Sequence, residues 1–141
     1  MTNDRTINGS FMCGAVSYEA RGPFRPVIAC HCTQCRKSTG NFFTASAAYR
    51  ENFRLIEERG LRWYQSSADS RRGFCGDCGS SLFFEHGELD RISFSGGTID
   101  GNSGLELAGH IFAAEKGDYY DLDHEQVVHE LEGPDLLKIP D

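Results

Sequence analysis

The chain has 141 residues, of which 39% are hydrophobic, and a formal net charge of −7 at pH 7. No apolar run approaches the roughly 18 residues of a membrane span, and a general nucleic-acid-binding domain would usually be basic, so neither partner is expected. The length predicts a single domain that spans residues 1–141.

The six cysteines could in principle form a secreted disulfide framework. Residues 1–10 are polar, however, and contain no apolar signal segment, so we expect a reducing, cytoplasmic location in which clustered cysteines indicate metal sites. Charge is uneven along the chain: residues 1–74 hold eleven Lys and Arg against six acids, whereas 75–141 hold three against fifteen. This distribution fits either a field that favours an anionic small substrate or a solvated surface with an acidic tail.

Short alternating segments, separated by turn residues, run through most of the chain. In order, the predicted strands are 6–11, 15–20, 27–29, 42–49, 53–57, 61–65, 71–74, 81–85, 91–95 and 110–114. Their spacing of about 8–12 residues predicts a mainly β fold of short antiparallel hairpins. A single helical turn is expected before Gly40, and an acidic C-terminal tail from about residue 118.

The run Cys30-His31-Cys32-Thr33-Gln34-Cys35 places three sulfurs within six residues. Cysteines so close together cannot pair with one another without strain, whereas one turn can offer three corners of a tetrahedral zinc site. If the fourth corner stays open, a substrate thiol can bind there, and we predict this arrangement. A distant His or acid in that corner would make the site structural, and an iron–sulfur cluster is an alternative occupant.

A second cysteine motif, Cys75-Gly76-Asp77-Cys78-Gly79, lies between two predicted strands. It has the form of a zinc knuckle, in which backbone N–H groups face both sulfurs. A thioredoxin-like redox pair would need a βαβ setting, which the flanking strands argue against. Because Cys13-Gly14 looks like half of another knuckle, we predict a second metal site formed by Cys13, Cys75 and Cys78.

Three stretches carry a resemblance to a known family: Gly9-Ser10-x-x-Cys13-Gly14-Ala15-Val16, Cys30-His31-Cys32-x-x-Cys35-Arg36-Lys37 and Arg72-Gly73-Phe74-Cys75-x-x-Cys78-Gly79-Ser80-x-Leu82, with weaker matches at Gly97-x-x-Asp100 and His110-Ile111-Phe112. In these residues the chain resembles the glutathione-dependent formaldehyde-activating enzyme family, which includes centromere-protein-V-like proteins. The resemblance implies an Mss4-like β-tent with two zinc sites. It further implies that the zinc at Cys30, Cys32 and Cys35 takes part in adding glutathione to formaldehyde.

The chain departs from the family pattern at one position. The family's first stretch usually reads Cys-x-Cys-Gly, but Phe11 stands where the first Cys is expected. Water, His86 or Asp77 could complete the site, or the site is empty and the ring of Phe11 packs in place of a ligand. Because a structural zinc can contribute on the order of 10 kcal/mol to folding, even a weakened site could persist.

The predicted chemistry follows from thiolate–zinc coordination, which ionises a thiol that is otherwise mostly protonated at neutral pH. We predict addition of glutathione or a similar small thiol to a small aldehyde such as formaldehyde, or the reverse cleavage. This activity makes the chain a carbon–sulfur lyase with Cys30, Cys32 and Cys35 as its catalytic residues. The competing class is a zinc-stabilised β-tent binding module without turnover.

Basic residues and histidines near the cysteines supply candidates for further roles. Arg offers paired donors that suit a carboxylate, so the carboxylates of glutathione have four candidate partners, although surface solubility explains such residues equally well. These candidates are Arg36, Lys37, Arg71 and Arg72. His31 or His110 could carry the proton, or either could be structural.

Overall fold

The computed structural model describes residues 5–123 and 125–140. Its strands are β1 (Thr6–Ser10), β2 (Ser17–Arg21), β3 (Val27–Cys30), β4 (Phe43–Tyr49), β5 (Phe53–Glu57), β6 (Leu61–Gln65), β7 (Ser70–Cys75), β8 (Ser81–His86), β9 (Arg91–Ser95), β10 (Leu107–Ile111) and β11 (Val127–Val128). Helix α1 spans Thr33–Thr39, and short 3-10 helices span Arg50–Asn52, Gly96–Thr98 and Ala113–Glu115. The predicted mainly β fold is confirmed, and its architecture is that of a small β-tent.

The strands form two sheets, with the orders β1-β2-β5 and β11-β10-β3-β4-β9-β8-β7-β6. Most neighbouring strands are antiparallel, as expected, but β3 and β11 both run parallel to β10. A tight turn makes consecutive strands antiparallel, whereas β3 and β10 are far apart in the chain and no turn dictates their relative direction. At this edge of the larger sheet, the expectation of antiparallel hairpins was wrong.

The last predicted core strand, 110–114, begins and ends too late. The observed strand is Leu107–Ile111, and Phe112 follows it in the left-handed region with φ 54°. That backbone conformation turns the chain out of the sheet and into the 3-10 helix Ala113–Glu115. At α1 the prediction was closer, because Gly40 ends the helix with φ 88° and its N–H donates to Arg36 O.

An aromatic core lies beneath both sheets. The ring of Tyr18 on β2 lies 5.3 Å from Phe53 and 5.4 Å from both Phe83 and Phe94, measured between centroids. Gly9 on the neighbouring β1 leaves room for this ring, since an added Cβ would lie 2.1 Å from it. These contacts connect β1, β2 and β5 to the larger sheet and form the main buried apolar cluster, whose removal from water stabilises the fold.

The residues predicted as an acidic tail contribute to the larger sheet. Val127 and Val128 in β11 pair with Gly109 and His110 in β10. Further on, Leu137 O accepts a hydrogen bond of 2.8 Å from Arg91 Nη1 on β9. The segment around Leu137 therefore packs across one face of the larger sheet, the face that also forms the floor of a cavity. Within residues 5–123 and 125–140 no helix has the length and apolar character needed to span a membrane.

Candidate metal centre

Three thiols converge where β3 meets α1. Cys30 ends β3, Cys32 is the N-cap residue of α1, and Cys35 lies in the first turn of the helix with 4% exposure. Their Sγ atoms all lie within 4.8 Å of one another, and Cys32 Sγ also accepts the N–H of Cys35 at 3.3 Å. Three convergent sulfurs are three ligands of a tetrahedral thiolate site, so the cluster could hold a metal ion.

Without a bound cation, ionisation of all three thiols of this cluster is unfavourable. Hydrogen bonds from the thiols of Cys30 and Cys35 lower the pKa of Cys32. The hydrogen bonds to Cys32 and Cys35, together with burial, raise the pKa of Cys30. One thiol ionises readily, whereas a second thiol would have to ionise next to the negative charge of the first. A thiophilic cation such as zinc would allow all three to carry negative charge, and the donor set therefore fits that metal.

A cavity of about 380 Å³ opens onto this cluster, and all three of its cysteines line the cavity. The floor of the cavity is one face of the larger sheet, with side chains from β10, β3, β4, β9, β8 and β7. Cys30 pairs with Phe43 near the start of β4, whereas Arg91 pairs with Tyr49 at its end. The cavity thus extends along the sheet from the cysteine cluster to the segment around Arg91 and Leu137.

Arg72 on β7 holds positive charge beside the cysteine cluster. Its Nη2 lies 3.5 Å from Cys35 Sγ and 3.4 Å from Gln34 Oε1, and its guanidinium carbon lies 5.0 Å from the ring centroid of Phe84. These contacts fix the guanidinium in the cavity wall. Arg72 can therefore stabilise negative charge on the thiolates or on a bound molecule.

The other predicted substrate-binding cations lie outside the lining of this cavity. Arg71 is on the opposite face of β7, where it covers Trp63 at 3.8 Å and pairs with Glu85 at 3.1 Å. Arg36 Nε donates to the backbone O of Glu115 at 3.1 Å, and Lys37 is exposed on α1. A substrate-binding role for these three residues stays a prediction.

The two histidines considered as proton carriers belong to a buried network that does not line the cavity. His31 is fully buried, and its Nδ1 lies 2.7 Å from the hydroxyl of Tyr120. Its Nε2 lies 2.9 Å from His110 Nδ1, and His110 Nε2 lies 2.7 Å from Gln126 Oε1. Burial lowers the pKa of His31 to about 4, so the ring is neutral near pH 7. This geometry indicates a structural role in joining β3, β10 and the C-terminal segment.

Replacement of Tyr120 by Phe should lower the free energy of unfolding by about 1–2 kcal/mol, because it leaves a buried nitrogen of His31 without its partner. The melting temperature should fall by roughly 3–6 °C with metal content unchanged. Tyr119→Phe is the matched control, because that hydroxyl bonds Asn41 at an exposed position. Loss of metal from Tyr120→Phe at unchanged stability would contradict a structural role.

The second cysteine cluster joins the β1–β2 turn to the β7–β8 turn. The Sγ atoms of Cys13, Cys75 and Cys78 all lie within 4.8 Å of one another, with 3.5 Å between Cys13 and Cys75. The N–H groups of Asp77 and Cys78 lie 3.3 and 3.5 Å from Cys75 Sγ, as in the predicted knuckle. A hydrogen bond from Ser80 lowers the pKa of Cys78 to about 6. The cluster could hold a second metal ion.

No His or carboxylate from the described ranges, 5–123 and 125–140, joins this second cluster. His86 lies at the far end of β8 and lines the cavity over the first cluster, where its Nδ1 is 2.6 Å from Ser70 Oγ. Phe11 is 3% exposed and packs in the aromatic core, with its ring centroid 6.0 Å from that of Phe83. Phe11 is therefore a core side chain at the position where the resemblance predicted a ligand.

Arg25 and Arg91 line the other end of the cavity, and neither was predicted from the sequence as a site residue. Arg25 is 2% exposed, and its Nη2 donates to Ala45 O at 3.1 Å. Burial, reinforced by the charge of Arg91, lowers the pKa of Arg25 to about 9, which still leaves it protonated at neutral pH. Arg25 lies in a Gly- and Pro-rich segment that indicates only a chain break, so the sequence carried no signal for this position.

Comparison with known proteins identifies the family. A family model described as glutathione-dependent formaldehyde-activating enzyme matches residues 6–115. The chain belongs to this family. Both cysteine clusters of the chain lie within the matched residues, whereas the C-terminal segment that lines one end of the cavity lies beyond them.

Among solved structures, the chain is similar to a Rhodobacter sphaeroides protein determined by structural genomics. The TM-score is 0.61 at 22% sequence identity, and the match covers 73% of this chain and 98% of the other. At this identity the likeness shows a shared fold alone. No curated protein matches the sequence.

Proposed function

We propose that the protein is a zinc-dependent carbon–sulfur lyase that joins a small thiol such as glutathione to a small aldehyde such as formaldehyde, or cleaves the adduct. The observation that carries this proposal is the position of Cys30, Cys32 and Cys35, which converge at the wall of an open cavity. A purely structural metal would need no such access. Family membership supports the choice of thiol and aldehyde.

In the proposed addition, the thiol sulfur forms a bond to the carbonyl carbon, the carbonyl π bond breaks, and the thiol proton ends on the former carbonyl oxygen. Zinc held by Cys30, Cys32 and Cys35 would supply a thiolate by lowering the pKa of the bound thiol. The cavity wall would hold the thiol and the aldehyde close together, so that the reaction between them becomes effectively unimolecular.

The chain's own residues would supply charge stabilisation and proton transfer. Arg72, held between Cys35, Gln34 and Phe84, offsets the negative charge of the thiolate cluster. Among the histidines at described positions, His86 lines the cavity, and its Nδ1 lies 2.6 Å from Ser70 Oγ. We assign proton transfer to the other nitrogen of His86 rather than to His31 or His110.

Glutathione should raise the melting temperature of the zinc-loaded protein and should accelerate adduct formation with formaldehyde. At a hundredfold excess over its Kd, a ligand stabilises the folded state by about 2.7 kcal/mol, or roughly 8 °C for a domain of this size. S-methylglutathione, which has no free thiol, is the matched control ligand. Adduct formation followed by NMR, above the uncatalysed rate, tests turnover.

Two zinc ions per chain, with no thermal shift by glutathione and no acceleration, would contradict the proposal. That result would favour a zinc-stabilised binding module. A coloured preparation containing iron instead of zinc would likewise contradict the assignment of the metal.

A further inference from the structure

The end of the cavity away from the cysteines carries positive charge that no carboxylate of the described residues neutralises. Arg25 and Arg91 both line it. Arg25 donates a hydrogen bond to the backbone oxygen of Ala45, and Arg91 donates one to that of Leu137. Arg25 Nε is buried and makes no hydrogen bond. Within residues 5–123 and 125–140, neither guanidinium forms an ion pair.

Arg25 and Arg91 differ in this respect from Arg50 and Arg71. Arg72 on the same cavity wall likewise makes no ion pair with a carboxylate of the described residues, and its Nε is also buried without a hydrogen bond. Arg50 and Arg71 share one carboxylate, that of Glu85, so their charges are neutralised within the fold. Arg25 is more deeply buried than either and lies close enough to Arg91 for the two like charges to repel. A desolvated cation without a partner is unfavourable unless an anion binds beside it.

A carboxylate side chain in the lining of the cavity does not fill this role. Glu132 lines the cavity, but its side chain is exposed and makes no ion pair with either arginine. The positive end of the cavity is therefore open to an anion from solution, and a planar guanidinium offers paired N–H donors that match a carboxylate.

The distance to the cysteine cluster suits a small ligand. Arg25 donates to Ala45 O, and Ala45 lies two residues along β4 from Phe43, the strand partner of Cys30. Two residues of a β-strand span about 7 Å. The lining in between includes the apolar side chains of Ile28 and Phe84. A molecule of a few carbon atoms could therefore reach from the thiolates toward the guanidinium of Arg25, which Arg91 approaches from the far end of the cavity.

We propose that Arg25 and Arg91 form a carboxylate-binding subsite, so that the molecule reacting at the Cys30, Cys32 and Cys35 cluster is a small thiol or aldehyde that bears a carboxylate. The identity of the reaction rests on the proposed function, whereas binding of the carboxylate does not. Either the thiol or the aldehyde could carry the carboxylate, because both kinds of molecule can place a carboxylate at a similar distance from the reacting atom.

Calorimetric titration of the zinc-loaded protein separates these sources and does not depend on turnover. One arm compares 3-mercaptopropionate with 2-mercaptoethanol, and the other compares glyoxylate with acetaldehyde. In at least one arm, we expect the carboxylate form to bind about tenfold more tightly, as a charged hydrogen bond implies. Arg91→Gln should remove that preference and leave the affinity of the neutral ligand unchanged.

Arg25→Gln is the second variant, and Arg54→Gln is the control. Arg54 pairs with Glu19 on the smaller sheet, so its replacement removes the same charge without touching the cavity. Equal affinity of charged and neutral ligands in both arms would overturn the subsite, as would a preference that survives both cavity substitutions. Such survival would mean that the carboxylate binds elsewhere, for example on the metal.

The outcomes distinguish this inference from the proposed function. A carboxylate preference lost in Arg91→Gln, without catalysed adduct formation, would refute the lyase reaction and retain the subsite. Catalysed adduct formation from neutral reactants, without any carboxylate preference, would retain the reaction and refute the subsite.

Discussion

Replacement of Cys35 by serine is expected to remove one of two bound zinc ions and to reduce adduct formation by at least about a hundredfold. The loss of one thiolate weakens a three-sulfur site more than the 10–100-fold that is usual for residues outside the ligand set. Serine has nearly the same shape, and Cys35 packs with Phe43 and Ala45 outside the main core, so the fold should be retained. Metal analysis and circular dichroism on the same sample measure both effects.

Ser38→Ala is the matched control for this substitution. Ser38 lies on the same helix, and its exposed hydroxyl bonds only the backbone O of Cys35 at 3.3 Å. It should keep both zinc ions and full activity. If Cys35→Ser retains two zinc ions, the first cluster is not the metal centre and the proposed reaction has no site.

Replacement of Cys75 by serine should have its main effect on stability. Cys75 is 1% exposed within the main core and belongs to the cluster that joins the two turns. The substitution removes a metal ligand and buries a hydroxyl in its place. We expect the free energy of unfolding to fall by about 3 kcal/mol or more, and the melting temperature by roughly 10 °C.

Cys13→Ser separates the metal contribution from the packing contribution. Cys13 belongs to the same cluster but is exposed, so its loss should weaken the metal site without disturbing the core. We therefore expect a smaller fall in melting temperature, accompanied by the same loss of one zinc ion. An unchanged melting temperature and zinc content in Cys75→Ser would show that the second cluster binds no structural metal.

The strands were predicted within a few residues because each depends on local alternation and on the turn residues that flank it. Two strands depart from this. β11 (Val127–Val128) lies in the predicted tail and was not predicted, and β10 was placed at 110–114 but spans Leu107–Ile111. Its partner β3 lies about eighty residues earlier in the chain, and its end is set by the left-handed backbone of Phe112. Neither feature is visible in a short window of sequence.

The cysteine clusters likewise combine features set by nearby residues in the chain with features set by distant ones. Cys30, Cys32 and Cys35 are close in the chain, so a strand end and one helix bring them together, as predicted. The grouping of Cys13 with Cys75 and Cys78 rested on their knuckle-like motifs, and the geometry confirms it. The placement of Phe11 in the core, however, depends on the ring of Phe83, which comes from a distant strand.

The amino-acid sequence by itself determined the family, the mainly β architecture and the two thiol clusters, because spacing and periodicity act over a few residues. Only the tertiary structure decided which cations and histidines line the cavity, where Arg72, His86, Arg25 and Arg91 lie and His31 and Arg71 do not. The physical reason is that the cavity lies on one face of a sheet whose strands are not in chain order. A side chain's access to it depends on strand register and on facing direction, which only the assembled sheet defines.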